Sequence, residues 1–226
     1  TTATETHMDT SKLEKFAQNA RRQLLEQVAA RMEQVLREDS AALREQAEAL
    51  ADLQKQIEKD SKGEVIERAA YTWFNRFVAL RYLDVNFYHP VRVVSPLEGY
   101  TQPEILQEAK AGVIPEGLTV DTNRVMALLN GELTSSNPQG EVYRLLLLGY
   151  CQQLHDELPF LFPEIKDFNA LLLPEDLLSE NSILQAVRDN LEPEDCQDVE
   201  VIGWLYQFYI SEKKDEVFSS KKKIQA

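Results

Sequence analysis

The chain contains few residues that form turns and none of the patterns that mark export or membrane insertion. It has 8 glycines and 9 prolines among 226 residues, which disfavours a turn-rich β-sandwich or barrel. The two cysteines, Cys151 and Cys196, are too few for a disulfide framework, so reduced thiols are expected. No apolar run approaches the roughly 20 residues of a membrane span, and no signal-peptide pattern opens the chain. We therefore expect a cytoplasmic protein without a membrane partner.

The sequence also lacks the short motifs that carry common catalytic and cofactor chemistry. It has no glycine-rich phosphate loop and no Gly-x-Ser-x-Gly motif. Cys151 and His155 stand four residues apart and share a helix face, but structural zinc needs four ligands and no second such pair follows. The residues therefore predict neither a metal site nor a cofactor in this chain.

Acidic residues dominate the middle of the chain. The formal net charge is -14, and residues 84–200 alone hold 21 acidic and 6 basic side chains, while the remainder is nearly balanced. Because DNA backbones are bound chiefly by lysine and arginine, this middle segment is predicted to be a poor DNA-binding face. It can face a basic partner, or only water.

Hydrophobic periodicity predicts a mainly α fold with little or no strand. At the start of the chain, apolar residues recur at helical spacing and charges of both signs fill the other faces. This pattern indicates a helical arm, either a hairpin whose second helix is capped by Asp39 and Ser40 or one long bent helix. The predicted division of the chain is a cloning remnant (1–7), the helical arm or hairpin (8–60), a compact multi-helix domain (61–218) and a basic tail (219–226).

Breaks in the pattern place further elements within the predicted domain. A β-branched run at 91–94, ended by Pro96, indicates extended chain and at most one edge strand. Asp121 is the expected N-cap of a short helix. The helices predicted after the aromatic stretch described next are 103–111, 122–130, 141–158, 175–190 and a last helix with an acidic start at 192–195.

The stretch AAYTWFNRFVALRYLDV at 69–85 concentrates aromatics and arginine in one predicted helix. A projection at about 100° per residue places Trp73 and Phe77 on a broad apolar face, which is typical of a core helix. Arg76 falls on the opposite, polar face, where it is free to contact DNA or a partner. Arg81 falls inside the apolar arc, so it must reach a carboxylate, a carbonyl or solvent, unless it contacts a neighbouring domain or phosphate.

A second aromatic stretch, VIGWLYQFYISEKKD at 201–215, predicts the last helix and is expected to pack on the first. Gly203 costs about 1 kcal/mol relative to alanine inside a helix, which suggests close approach by another element. The lysines behind it can contact DNA phosphates or belong to a solvated tail. The candidate contacts to DNA or to a neighbouring domain are Arg76, Arg81, Lys213, Lys214, Lys221, Lys222 and Lys223.

Both aromatic stretches resemble the amino-terminal region of the PglX-type adenine-specific DNA methyltransferases of bacterial BREX phage-defence systems, and the resemblance covers residues 8–226. It implies a parent enzyme that methylates adenine at N6 with S-adenosylmethionine and so marks host DNA. That family's catalytic motif is of the Asn-Pro-Pro-Tyr type. Here glutamine and glycine follow Asn137 and Pro138, without an aromatic to stack on a flipped base. The resemblance thus implies a non-catalytic module without its own cofactor, whose tail leads into a methyltransferase domain absent from the chain.

As an accessory module, the chain is expected to pack beside the methyltransferase domain, to help shape the DNA cleft and to offer surface to other defence components. The implied partners are the remainder of the methyltransferase, duplex DNA through the parent, and other BREX components. The alternative is a free-standing acidic interaction protein, including a DNA mimic, which the net charge of -14 permits. Against this alternative, the acidity is confined to one segment and the aromatic helices are typical of a core.

Overall fold

The structure is a computed structural model. Its described residues are 10–37, 41–159, 162 and 168–224, with the side chains of 41–42 and 215–224 excepted. The predicted cloning remnant and the predicted cap of the second arm helix lie outside the described residues.

Helices supply the regular structure of the described residues, and no strand is present among them. The prediction of a mainly α fold is therefore confirmed. None of these helices is both long and apolar enough to cross a membrane. The helices are α1 (Thr10–Arg37), α2 (Ala41–Arg44), α3 (Ala47–Asp60), α4 (Lys62–Val85), α5 (Glu104–Lys110), α6 (Thr122–Leu129), α7 (Pro138–Glu157), α8 (Ile183–Asn190) and α9 (Glu200–Ile224).

The first helix lies within the core of the fold. α1 packs against α4, α8 and α9, and Leu13, Leu24 and Val28 on its inner face are fully buried. Because its apolar residues recur at three- and four-residue steps, they form one stripe that faces these partners. One hydrophobic core cluster thus extends from the predicted arm into the predicted domain.

A turn at 45–46 divides the second part of the predicted arm. The backbone N–H of Gln46 donates to the carbonyl of Leu43 at 3.0 Å, and α3 begins directly afterwards. α3 packs on α4 and buries Leu53 between them. Ser61, at a φ of 107°, ends α3 and begins α4, whose first turn it caps by accepting a hydrogen bond from the N–H of Glu64 at 3.4 Å.

The segment 91–94, for which at most one edge strand was expected, forms no strand. The nearest approach to sheet pairing in the described residues is an isolated bridge between Pro96 and Pro103. The backbone N–H groups of Val93, Val94 and Ser95 donate to the carboxylate of Asp84, at 2.7 to 2.9 Å. Every buried N–H needs an acceptor. The Asp84 carboxylate accepts these three hydrogen bonds, which the carbonyls of a neighbouring strand accept in a sheet.

Two helices begin where a capping residue places them. α7 starts at Pro138, three residues before its predicted start, because the side chain of Asn137 accepts from the N–H of Gly140 at 3.0 Å. Proline at the first helical position has no N–H to satisfy, so it fits there. The predicted cap of α6 is confirmed, since the Asp121 side chain accepts from the N–H of Arg124 at 3.1 Å.

The last two helices begin later than predicted. α8 starts at Ile183 rather than 175, because Ser182 caps it by accepting from the N–H of Gln185 at 3.2 Å. α9 starts at Glu200 rather than near 192, and its backbone remains helical to Ile224, through most of the predicted tail.

The expectation that Gly203 marks a close approach is wrong. A Cβ at this exposed position of α9 would have no atom within 4 Å. The close approach occurs instead at Gly149 on α7, where a Cβ would lie 2.7 Å from the carbonyl oxygen of Thr119. A backbone oxygen cannot move aside as a flexible side chain can, so glycine is required at this position.

Candidate functional site

The aromatic face of α4 lies in the core, as predicted. Trp73 is fully buried, donates from its indole nitrogen to the carbonyl of Asn169 at 2.9 Å, and stacks on Phe77 at 5.5 Å between ring centroids. α9 packs on α4 as expected, with the rings of Phe74 and Tyr209 4.7 Å apart. Paired aromatics add to the stabilisation that burial alone provides.

The placement of Arg76 on an exposed, polar face is wrong. Arg76 is 0% exposed, and its guanidinium carbon lies 4.8 Å from the centroid of the Trp73 ring. α4 is packed by α1, α3, α8 and α9, so the face that a projection assigns to solvent is also enclosed. The weakly hydrated guanidinium is stabilised there by its cation–π contact. Arg76 therefore presents no surface to DNA in this structure.

Arg81 makes its contacts inside the chain. Its Nε donates to the carbonyl of Leu191 at 2.9 Å, and its Nη1 donates to the hydroxyl of Ser95 at 2.8 Å. Partial burial lowers the pKa of the guanidinium from its ordinary value, while nearby acidic groups oppose this effect. These bonds tie α4 to the end of α8 and to the 91–95 segment, which is the internal alternative predicted for an arginine in an apolar arc.

The lysines of α9 divide into two groups. Lys213 and Lys214 are exposed, and Lys213 borders a groove that also contains the acidic residues Asp60, Glu64 and Glu67. The backbone carrying Lys221, Lys222 and Lys223 is helical, but their side chains lie outside the described residues. Contact between these lysines and DNA or a neighbouring domain stays a prediction.

Asp84 is the organising polar residue that the sequence did not reveal. Its side chain is 0% exposed and accepts from three consecutive backbone amides and from Nε2 of His89, the last at 2.7 Å. Two donors contact each carboxylate oxygen, so both oxygens are engaged within the chain. Because the carboxylate accepts from Nε2, that nitrogen must carry the ring proton in neutral His89.

Side chains from two further helices hold the same segment in place. The hydroxyl of Tyr143 on α7 donates to the carbonyl of Val93 at 2.9 Å, and Arg188 on α8 donates to the carbonyl of Val94 at 2.9 Å. Complete burial raises the pKa of Tyr143 well above its ordinary value, so this hydroxyl stays protonated. The segment that carries His89 is therefore fixed between α4, α7 and α8.

Cys151 and His155 do not meet as a metal pair. His155 hydrogen-bonds through Nδ1 with the carbonyl of Phe162 at 2.8 Å, and burial raises the pKa of the Cys151 thiol to about 12. Within the part of the chain that the structure describes, no three histidine, cysteine, aspartate or glutamate side chains come together to hold a metal ion.

These features define a helical module with two exposed lysines on α9 and a buried acidic joint, in which the Asp84 carboxylate accepts from the backbone at 93–95 and from His89. No protein-family model matches the chain. Its relatives among individual proteins are adenine-specific methyltransferases. The chain is thus related to the methyltransferases of the PglX and BrxX type, which confirms the resemblance seen in the two aromatic stretches.

Two relatives carry this relationship. The adenine-specific methyltransferase BrxX of Escherichia coli O9:H4 (strain HS) is 44% identical over 158 residues, covering 68% of this chain and 12% of the relative. The adenine-specific methyltransferase PglX of Lacticaseibacillus casei (strain Zhang) is 30% identical over 254 residues, covering 95% of this chain and 21% of the relative. The chain therefore spans less than a quarter of the length of either protein.

Proposed function

We propose that this chain is a non-catalytic helical module of an adenine-specific DNA methyltransferase. The observation that carries the proposal is the match to PglX, which extends over 95% of this chain but only 21% of that relative. The chemistry then belongs to the larger part of such a protein. There, S-adenosylmethionine supplies the methyl group and adenine N6 in duplex DNA accepts it.

The contacts of the module support a scaffolding role. The segment that joins α4 to α5 is fixed by side chains from three helices, the buried Asp84 and Tyr143 and the half-buried Arg188. Such a preorganised body can hold a neighbouring domain in one orientation and so help to shape the DNA cleft. In this role the parent marks host DNA in a BREX defence system, and the module offers surface to other components of that system.

The exposed lysines of α9 are the side chains that we assign to DNA or to the neighbouring domain. Lys213 and Lys214 are exposed there, whereas Arg76 and Arg81 are engaged within the chain. A lysine that neutralises a phosphate contributes to affinity in a salt-dependent manner. Relatedness to methyltransferases over nearly the whole chain favours this role over a free-standing acidic interaction protein or DNA mimic.

The test uses the full-length parent enzyme and charge reversal on two helices. Lys213→Glu with Lys214→Glu is compared with Lys55→Glu and Lys59→Glu, which reverses two exposed lysines on α3. Duplex affinity and methyl transfer from labelled S-adenosylmethionine are measured at two salt concentrations. The α9 variant is expected to bind duplex about tenfold more weakly, with a smaller salt dependence, while the α3 variant is unchanged. Equal behaviour of the two variants would contradict the assignment of this surface.

A second variant of the parent tests the scaffolding role directly. Deletion of the whole module is expected to reduce methylation of duplex DNA while S-adenosylmethionine affinity is retained, because the cofactor site lies elsewhere. Loss of cofactor binding, with the rest of the enzyme folded by circular dichroism, would place part of the cofactor site in this chain and refute the proposal.

A further inference from the structure

An aromatic pocket lies beside the buried acidic joint, between α4, α7 and the start of α9. Its volume is about 610 Å³, within the range of sites that bind a small molecule or a single side chain. Its walls include the rings of Tyr82, Tyr88 and Tyr150, and Glu157 stands among the lining residues. We call these residues, together with His89 and Gln153, the tyrosine pocket.

Two buried polar atoms of the tyrosine pocket have no hydrogen-bond partner among the described residues. One is Nδ1 of His89, whose side chain is only 5% exposed, and the other is Oε1 of Gln153. Since Nε2 of His89 donates to Asp84, Nδ1 of the neutral ring is a bare acceptor. A buried acceptor without a partner is unfavourable, so a ligand that reaches these atoms after a small side-chain movement and donates hydrogen bonds to them would be stabilised.

The rings and charges of the pocket favour some hydrogen-bond-donating ligands over others. The rings of Tyr82 and Tyr88 lie 6.0 Å apart and those of His89 and Tyr150 lie 5.4 Å apart, so planar or cationic groups find π surfaces there. Glu157 carries the negative charge of the lining, which contains no lysine or arginine. The surrounding segment, 84–200, has 21 acidic against 6 basic residues, which disfavours phosphate-bearing ligands.

The rim of the pocket has the character of a protein interface. Tyr88 is 65% exposed and Val199 is 60% exposed, and Phe87, which precedes Tyr88 in the chain, is 71% exposed. Large apolar side chains gathered around a polar pocket are typical of a surface that another protein covers.

We propose that the tyrosine pocket receives an arginine side chain from a basic segment of a partner protein. The guanidinium is planar, so it stacks on a tyrosine ring, and its N–H groups donate to Nδ1 of His89 and to Oε1 of Gln153. Its charge is matched by Glu157 at the opening and by the acidity of the whole segment. Lysine provides the charge and hydrogen-bond donors without the flat head, and a nucleobase provides the flat ring without the charge.

The experiment follows nitrogen–proton correlation NMR spectra of this chain at pH 8 during titration with acetyl-Gly-Arg-Gly-amide. Three comparison ligands are the citrulline peptide, the lysine peptide and adenosine. The arginine peptide is expected to shift the amide signals around Tyr88 and Gln153 and to bind about tenfold more tightly than the neutral citrulline peptide.

Matched variants separate the pocket from general surface charge. Glu157→Gln and Tyr88→Ala are each expected to weaken arginine binding about threefold or more. Asp156→Asn, at the exposed carboxylate next in sequence, and Tyr100→Ala, at a 56% exposed tyrosine, are expected to leave it unchanged.

Three results would overturn the proposal. Equal binding of citrulline and arginine would show that charge is not recognised, and tighter binding of adenosine would make this a site for neutral rings. Shifts that are absent from the pocket, or equally reduced by the control variants, would leave no arginine site here. Each outcome is independent of methyl transfer, so the proposed function stands or falls separately.

Discussion

Oδ1 of Asp84 lies 2.7 Å from Nε2 of His89, and this bond joins the core of the fold to the tyrosine pocket. The same carboxylate accepts from three consecutive backbone amides, so the position of His89 is fixed by the joint that replaces a strand. A single buried residue near the end of α4 thus determines both the path of the chain and the hydrogen-bonding state of a histidine.

Replacing Asp84 with asparagine is expected to destabilise the protein by about 2–4 kcal/mol. The amide keeps one acceptor oxygen, but its NH₂ group would face backbone N–H donors that need an acceptor. Urea unfolding followed by circular dichroism measures the change. Asp156→Asn, at an exposed position on α7, should differ from wild type by less than about 0.5 kcal/mol. A similarly small effect at Asp84 would show that the joint contributes little.

Alanine at Gly149 and at Gly203 is expected to have opposite effects on stability. At Gly149 the new Cβ would lie 2.7 Å from a backbone oxygen, which forces α7 away from the loop and costs about 1–3 kcal/mol. At Gly203 the Cβ meets no atom within 4 Å and the change removes a flexible residue from a helix, a gain of about 0.5–1 kcal/mol. Thermal unfolding of the two variants measures both effects. A loss of stability in Gly203→Ala would contradict the expectation that this position is open.

The stabilising contribution of Cys151 is expected to fall in alkaline solution. Burial raises the pKa of its thiol from 9.0 to about 12, so as pH rises above 9 the unfolded chain loses this proton while the folded chain keeps it. Stability is therefore lost between pH 9 and 12. The stability difference between wild type and Cys151→Ala should narrow by about 1.4 kcal/mol from pH 8 to pH 10. A constant difference would mean that the thiol is accessible, and Ellman's reagent would then react with it in the folded protein.

Alanine at Arg76 is expected to destabilise the fold, whereas alanine at Lys213 is not. Arg76→Ala should lower the free energy of unfolding by about 2–4 kcal/mol, because it removes a fully buried side chain and its contact with Trp73. Lys213→Ala, at an exposed position, should leave unfolding unchanged. Chemical denaturation of both variants provides the measurement. If Arg76→Ala were as stable as the wild type, Arg76 would again be a candidate for contact with DNA or a neighbouring domain.

The sequence predicts the helices of this fold better than the residues that organise it. Trp73 and Phe77 follow the helical period, so their burial could be foreseen, and Asp121 has the spacing of an N-cap. Arg76 could not be placed, because a projection of one helix does not show that partners surround it. Asp84 gave no signal, since a carboxylate in the last turn of a helix is usually solvated and the backbone N–H groups that donate to it lie up to 11 positions further along. The partnership with His89 needs the folded chain.

If methyl transfer takes place outside this chain, the isolated chain should not bind S-adenosylmethionine, and isothermal titration measures this binding. Circular dichroism first establishes that the sample is folded. We expect no heat of binding at millimolar cofactor, and no incorporation of label into duplex DNA that is added afterwards. Saturable binding of the cofactor, or labelled adenine in the DNA, would contradict this expectation.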